Sequence, residues 1–177
     1  MITDSFILLT GPFGSGKSTL LQHLRSLGFL GIEEPARPVL AEQRRIEGDG
    51  LPEKDARLFV DLMLSRMMGD YHRMETASTP VFFDRGVPDM LGYAALFGFD
   101  YPPGRNAATV YRYSKRVFFA PAWEQIYTTD KERTISYSVA KAFGDDLREI
   151  YKQCGYELID LPCVPVNARA EFILSML

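Results

Sequence analysis

Short runs of consecutive apolar residues recur along the chain and alternate with longer segments whose apolar residues repeat every three or four positions. A short continuous apolar run is typical of a strand buried on both faces of a parallel sheet. The chain contains five such runs. We therefore predict five strands, at residues 5–10, 29–32, 81–83, 116–120 and 156–161.

The segments between these runs have the three-to-four spacing that places apolar side chains on one face of a helix. In the longest of them, Met63, Met67 and Tyr71 recur at that spacing. Gly28 is placed to end the first helix. Clusters of glycine and proline at 48–52 and 101–104 predict loops. The predicted helices cover residues 17–27, 38–46, 53–74, 88–97, 134–154 and 168–177.

The alternation of strands and helices predicts the architecture of the chain. Strands joined by helical crossovers form a parallel sheet with helices on both faces, because such crossovers are right-handed. The sequence contains no internal repeat and no Ser/Gly linker, and its 177 residues are enough for one buried core. We therefore expect an α/β fold of three layers and a single domain over residues 1–177.

Composition and charge exclude several classes of partner. The 20 basic and 23 acidic side chains give a net charge of -3, so we expect neither nucleic acid nor an anionic membrane as partner. No apolar stretch approaches the roughly 20 residues of a membrane helix, and no signal peptide is evident. Cys154 and Cys163 lack metal-ligand spacing and are expected to be free thiols. These features predict a cytoplasmic protein and leave its oligomeric state open.

A glycine-rich segment between the first predicted strand and helix carries the most specific chemistry. Its pattern of glycine, four residues and Gly-Lys-Ser is that of a phosphate-binding P-loop, whose backbone amides point at phosphate oxygens. Lys17 should reach the β- and γ-phosphates of ATP, and the Ser18 hydroxyl should ligate Mg²⁺. The expected nucleotide-binding residues are Gly11, Pro12, Phe13, Gly14, Ser15, Gly16, Lys17, Ser18 and Thr19.

An acidic residue, Asp84, ends the third predicted strand. In a P-loop protein a carboxylate at this place can hold the metal ion, directly or through water, so we predict Ser18 and Asp84 as the metal site. Motor-type and AAA+ ATPases usually carry a second acidic residue next, whereas this chain has Arg85. A GTPase is disfavoured because no Asn-Lys-x-Asp sequence occurs. These features favour phosphoryl transfer to a small acceptor.

The segment after the second predicted strand holds a candidate general base. Loops at the carboxyl ends of neighbouring strands meet at one crevice, which would place Glu34 near the γ-phosphate to accept a hydroxyl proton. Arg37 could pair with Glu34 or hold an anionic group of the substrate. Alternatively, the segment is a solvated acidic turn at Pro35.

These three segments together resemble a known family. Gly11 to Thr19, Glu34 to Arg37, and Phe83-Asp84-Arg85 resemble the small predicted P-loop ATPases/kinases related to the bacterial nicotinamide riboside kinase domain. The Glu-Pro and Asp-Arg pairs are also similar to those of deoxynucleoside and thymidylate kinases. The resemblance implies a P-loop NTPase fold of nucleoside-kinase type, ATP with Mg²⁺, and a base or substrate-binding carboxylate at Glu34. Residues 85–89 depart from the nicotinamide riboside kinase pattern, so nicotinamide riboside is one candidate acceptor among several.

The remaining candidates concern a lid and the acceptor. The segment at about 121–135 lies where nucleoside-monophosphate-kinase-like proteins place a mobile lid, so Lys131 or Arg133 could close over the nucleotide. We favour Arg133, since its planar fork suits phosphate; the alternative is an ordinary charged helix start. For the acceptor we predict contacts from Arg37, Arg85 and Asp89.

The sequence therefore predicts an ATP- and Mg²⁺-dependent kinase for a small hydroxyl-bearing molecule, with nucleoside-like compounds among the candidates. Its expected catalytic residues are Lys17, Glu34, Asp84 and Arg133. The alternative is an NTPase that hydrolyses ATP to drive or time a conformational change. A nucleotide-binding module without turnover is a third reading, against which the intact Lys17, Ser18 and Asp84 argue.

Overall fold

Five parallel strands form one sheet in the computed structural model, which describes residues 4–128 and 135–177. The spatial order of the strands is β2-β3-β1-β4-β5, so the first strand lies at the centre. This confirms the predicted α/β fold with a five-stranded parallel sheet. The strands are β1 (Phe6–Thr10), β2 (Leu30–Ile32), β3 (Val81–Asp84), β4 (Arg116–Phe119) and β5 (Glu157–Asp160).

Helices connect the strands and cover the sheet. A short 3-10 turn, Glu124–Ile126, follows β4. The helices are α1 (Lys17–Ser26), α2 (Ala36–Arg45), α3 (Ala56–Met74), α4 (Asp89–Leu96), α5 (Pro102–Val110), α6 (Tyr137–Gln153) and α7 (Val166–Leu174). In the described part of the chain, no helix is both long and apolar enough to cross a membrane.

The sheet separates the core into two apolar clusters, one on each face. Because successive side chains of a strand point to opposite faces, Phe6 and Leu8 join one apolar cluster while Ile7 and Leu9 join the other. The first cluster is filled by side chains of α3, α4 and α6, and the second by side chains of α1 and α7. The result is three layers, with a helical layer on each face of the sheet.

One predicted loop is wrong: a helix, α5, begins at Pro102 where glycine and proline at 101–104 indicated a loop. Proline is tolerated in the first turn of a helix, because the N–H groups there have no partner within the helix. Pro102 and Pro103 occupy that turn. The ends of other helices differ slightly from the predicted bounds. The helix predicted from residue 53 begins at Ala56, because the Asp55 side chain caps it by accepting a hydrogen bond from the Leu58 N–H at 2.8 Å.

The strand order brings the predicted site segments together. Leu9 of β1 lies opposite Asp84 of β3, and Phe83 of β3 lies opposite Ile32 of β2. The P-loop follows β1, and Glu34 follows β2 by two residues. All three segments thus leave the same edge of the sheet, the edge where open α/β folds bind ligands.

Candidate active site

The P-loop adopts a backbone that its glycines make accessible. Gly11, Gly14 and Gly16 all have positive φ, at 137°, 71° and 82°. A Cβ at Gly11 would lie 2.1 Å from the carbonyl oxygen of Ala120, so no other residue fits there without moving the backbone just after β4. Gly16 caps α1 in the left-handed conformation, which turns the loop directly into the positive end of that helix.

Lys17 lies inside the loop, with 5% of its surface exposed. Its Nζ donates to the carbonyl oxygens of Gly11 at 3.0 Å and Pro12 at 2.7 Å, and lies 3.3 Å from the Ser15 Oγ. Burial lowers the pKa of Lys17 to about 8, and the nearby Arg85 guanidinium adds to this effect. The ammonium is therefore poorly compensated by the protein alone, and an anion beside it would stabilise its charged form.

Ser18 and Asp84 form the predicted metal pair. The Ser18 Oγ donates to the Asp84 Oδ2 at 2.8 Å, while the Asp84 Oδ1 is buried and has no hydrogen-bond partner among the described residues. Burial raises the pKa of Asp84 to about 6. These groups fit Mg²⁺, which binds through one or two protein oxygens plus phosphates and water. No cluster of three or more His, Cys, Asp or Glu within residues 4–128 and 135–177 offers another metal site.

Glu34 is held through one of its two carboxylate oxygens. Oε1 accepts hydrogen bonds from the Arg85 Nε at 2.7 Å and from the Tyr93 hydroxyl at 2.5 Å. Burial by itself raises the pKa of Glu34, but Arg85, Lys17 and the Tyr93 hydrogen bond outweigh it, so the pKa lies below its ordinary value. The carboxylate is therefore ionised near neutral pH. Oε2 accepts no hydrogen bond from a side chain in the described ranges.

Arg85, a predicted acceptor contact, lines the P-loop cavity, but most of its side chain lies in the protein interior. Its side chain is 1% exposed, and its Nη1 donates to the Gly11 carbonyl at 3.0 Å and to the Asp89 Oδ1 at 2.8 Å. With φ at 70°, Arg85 has a backbone conformation that is strained for any residue but glycine. It links the P-loop to Glu34.

Asp89, also a predicted substrate contact, is fully buried. Its two carboxylate oxygens accept hydrogen bonds from the Thr10 Oγ1 at 2.8 Å, the Gly86 N–H at 2.9 Å, the Tyr151 hydroxyl and Arg85. Four donors leave little capacity for a substrate group. In place of the predicted substrate contact, Asp89 holds Arg85 in position.

Two cavities open at this edge of the sheet. The first, which we name the P-loop cavity, has a volume of about 380 Å³ and lies between residues 13–19 and an apolar wall of Trp123, Ile126 and residues 164–166. The second, the aromatic cavity, has a volume of about 460 Å³ and is lined by side chains of α2, α3 and α4, among them the rings of Phe59, Tyr93 and Phe97. Phe13 and Glu34 line both cavities.

Some of the other predicted site residues line a cavity, and others lie outside the described residues. Arg37 is exposed and lines the aromatic cavity, together with Arg44. From the lid-like segment, Trp123, Ile126 and Thr128 line the P-loop cavity. The two candidate lid residues, Lys131 and Arg133, lie outside the described residues.

Sequence reasoning missed a buried arginine, Arg169, on α7. It is 3% exposed, lines the P-loop cavity, and its Nη1 donates to the Ser15 carbonyl at 2.9 Å. Its distance of 154 positions from Ser15 hid the contact. The available signal was a cation among the apolar residues of the last helix, Val166, Ala170 and Ile173.

Known structures with the same fold include several kinases. A deoxyadenosine kinase from M. mycoides with dCMP and dCDP bound is 16% identical, with a TM-score of 0.66 and 97% of each chain covered. A thymidylate kinase from Ehrlichia chaffeensis is 18% identical, with a TM-score of 0.59. The match covers 98% of this chain and 97% of the thymidylate kinase. NadR protein in complex with NR is 18% identical, with a TM-score of 0.65; 96% of this chain matches 49% of NadR.

These likenesses establish the fold and confirm the resemblance to nicotinamide riboside, deoxynucleoside and thymidylate kinases. No curated protein matches the sequence. A sequence model of the family described as AAA domain matches residues 6–169, which is most of the chain. The chain therefore belongs to the AAA domain family of P-loop proteins.

Proposed function

We propose that this protein is an ATP-dependent kinase that transfers the γ-phosphoryl group to a hydroxyl of a small, ring-bearing acceptor. The observation that carries the proposal is the position of Glu34, whose carboxylate lines both the P-loop cavity and the aromatic cavity. A group at the junction of two cavities can act on an acceptor in one and a phosphate chain in the other. Proximity of this kind lowers the barrier to phosphoryl transfer.

The P-loop cavity would hold ATP. Its loop amides, the α1 N-terminus and Lys17 form the positive end, and Trp123, Ile126 and residues 164–166 form an apolar slot that suits the base. Ser18 and Asp84 would hold Mg²⁺, which neutralises negative charge on the phosphates when bound. The loop thus accounts for the donor half of the reaction.

The aromatic cavity would hold the acceptor. The rings of Phe59, Tyr93 and Phe97 offer flat apolar surface for a ring of the substrate. Arg37 and Arg44 lie on the same cavity and are suited to polar or anionic groups of the acceptor. A volume of about 460 Å³ falls within the range of small-molecule sites.

Glu34 would serve as the general base. Arg85 and Tyr93 fix its Oε1, so Oε2 is the atom that would accept the hydroxyl proton of the acceptor. The acceptor oxygen then bonds to the γ-phosphorus, the bond from that phosphorus to the β–γ bridging oxygen breaks, and ADP leaves. Lys17 would stabilise charge on the phosphates during transfer. Arg133 remains our proposed lid residue.

Two further points support a kinase over an NTPase that hydrolyses ATP. Hydrolysis needs a water molecule only, and it leaves the aromatic cavity without a role. The acidic residue that often follows the metal-binding carboxylate in motor-type and AAA+ ATPases is replaced by Arg85, whose side chain is buried in ion pairs. Membership in the AAA domain family is compatible with either chemistry, because the P-loop is common to both.

The test is to measure ADP release with ATP and Mg²⁺, alone and with a panel of nucleosides, nucleoside monophosphates, sugars and small alcohols. We expect one class of compound to stimulate ADP release and to carry the transferred phosphate. Rapid turnover without any acceptor, unchanged by Glu34→Gln, would contradict the proposal and favour an NTPase.

A further inference from the structure

Arg169 is a buried cation with an unusual environment. Its guanidinium makes one hydrogen bond, from Nη1 to the Ser15 carbonyl, and its Nε and Nη2 are buried without a partner in the described part of the chain. No carboxylate in that part forms an ion pair with it. Burial lowers the pKa of Arg169 below its ordinary value, as expected for a cation that lacks a counter-charge.

Other positive groups raise the free-energy cost of burying the Arg169 charge. Arg169 is the fourth residue of α7, so it lies near the positive end of that helix dipole. A Cβ at Gly16, the cap of α1, would lie 3.0 Å from the Arg169 Nη1, so the positive end of α1 is also close. A buried charge without a counter-charge is strongly destabilising. An anion in the adjoining cavity would offset it.

The position of Arg169 specifies which part of a ligand it would meet. It lies between Ser15 of the P-loop and Trp123 of the apolar wall, with its guanidinium carbon 5.8 Å from the centre of the indole ring. Lys17 and Ser18, whose hydroxyl donates to Asp84, mark the reacting end of the P-loop cavity, and the apolar wall marks the base end. Arg169 is therefore on the border between the two, where the phosphate nearest the base would lie.

We propose that Arg169 is a nucleotide-binding residue whose two unpartnered nitrogens, Nε and Nη2, donate to oxygens of the phosphate that is attached to the ribose. The proposal rests on the proposed donor role of the P-loop cavity and is independent of which acceptor is used. Through Nη1 and Ser15, the same side chain joins the bound phosphate to the loop backbone. The planar fork of arginine suits such a double contact better than a lysine does.

The experiment compares Arg169→Gln with a matched control, Arg112→Gln. Arg112 also donates to a backbone carbonyl, that of Ala108 at 3.1 Å, and lies over an aromatic ring, 4.1 Å from the Tyr156 centroid, but it is remote from the P-loop. Titration calorimetry without acceptor measures the affinities for ATP, ADP, AMP and adenosine. Because the chain has one tryptophan, Trp123, its fluorescence gives a second readout at this site.

We expect Arg169→Gln to weaken the binding of ATP, ADP and AMP by a similar factor. Loss of hydrogen bonds to a charged group corresponds to roughly 10- to 100-fold in affinity. The affinity for adenosine should stay unchanged. The ligand-free melting temperature should hold or rise, because an uncompensated buried charge is removed. Arg112→Gln should change no affinity. Arg169→Lys, which keeps the charge without the fork, should show a smaller loss and serves if the glutamine variant fails to fold.

Two results would overturn the proposal. An equal loss for adenosine would assign Arg169 to the base or ribose, and a lower ligand-free melting temperature with unchanged nucleotide affinities would make it a structural support of the P-loop only. These outcomes are separate from the kinase proposal, because nucleotide binding is measured without an acceptor. A protein that binds ATP through Arg169 and phosphorylates nothing would contradict the kinase proposal alone.

Discussion

The two cavities differ in how the chain builds them. The P-loop cavity takes its positive end from seven successive residues, 13–19, and from backbone groups that any nucleotide phosphate can use. The aromatic cavity takes its walls from side chains on three different helices. A site made by a continuous backbone segment can be predicted from the sequence, whereas a site made by side chains from several helices cannot. Under the kinase proposal, we expect acceptor specificity to depend on the second kind of site.

Arg85 and Glu34 connect the two cavities. Arg85 bonds the Gly11 carbonyl on the P-loop side and Glu34 on the side of the aromatic cavity, while Asp89 holds it from behind. The connection is a buried chain of charges, so removing one member leaves another without its partner. Substitutions in each cavity and in this connection should therefore have separable effects.

The largest expected effect is on stability and comes from the connection itself. Arg85→Met leaves the buried Asp89 carboxylate and Glu34 without their cation. The free energy of unfolding should therefore fall by about 3–5 kcal/mol. Urea denaturation measures the change. Arg66→Met, which breaks the exposed pair with Glu42, is the control and should have no measurable effect. Equal stability of both variants would show that the buried network is not a support.

The next effect is on turnover and tests Glu34, whose side chain lines both cavities. Glu34→Gln keeps the shape of the side chain but removes the base, so acceptor phosphorylation should slow by roughly 100- to 1,000-fold while ATP affinity changes little. The neighbouring Glu33→Gln removes an exposed carboxylate paired with Arg25 and should leave the rate unchanged. Similar rates for the two variants would assign the proton transfer elsewhere.

A third prediction concerns the P-loop cavity alone. Lys17→Ala removes the buried ammonium that we assign to the phosphates, and ATP affinity should fall roughly 10- to 100-fold. Lys141→Ala removes an exposed lysine paired with Asp145 and should have no effect. Calorimetric titration with ATP and Mg²⁺ distinguishes the two. Full affinity in Lys17→Ala would contradict the assignment of the P-loop as the phosphate site.

The smallest predicted effect concerns the aromatic cavity alone. Arg44→Gln removes a half-exposed cation from its lining, so the KM for an anionic acceptor should rise a few-fold, about the effect of one exposed charge, while the KM for ATP stays constant. The adjacent Arg45→Gln gives the matched control, since Arg45 is exposed at the end of the same helix. A change in the KM for ATP only would mean that the cavities have been assigned the wrong way round.

The same contrast explains what the sequence could and could not predict. The strands, the P-loop and the meeting of Glu34 with Asp84 follow from local apolar runs and from the topology of parallel sheets. We predicted substrate contacts from Arg85 and Asp89, which follow Asp84 in the sequence; in the structure four donors to Asp89 and three acceptors for Arg85 compensate for their burial. Two of these contacts, between Thr10 and Asp89 and between Gly11 and Arg85, join residues 79 and 74 positions apart, so the sequence carries no local signal for them.

The central claim is that the γ-phosphoryl group goes to an acceptor and not to water. The most direct measurement is to run the reaction in ¹⁸O-labelled water with the stimulating acceptor and to follow both products by mass spectrometry. We expect a phosphorylated acceptor without ¹⁸O, formed in equal amount with ADP, and loss of that product in Glu34→Gln. Inorganic phosphate carrying one ¹⁸O as the main product, at the same rate with or without acceptor, would contradict it.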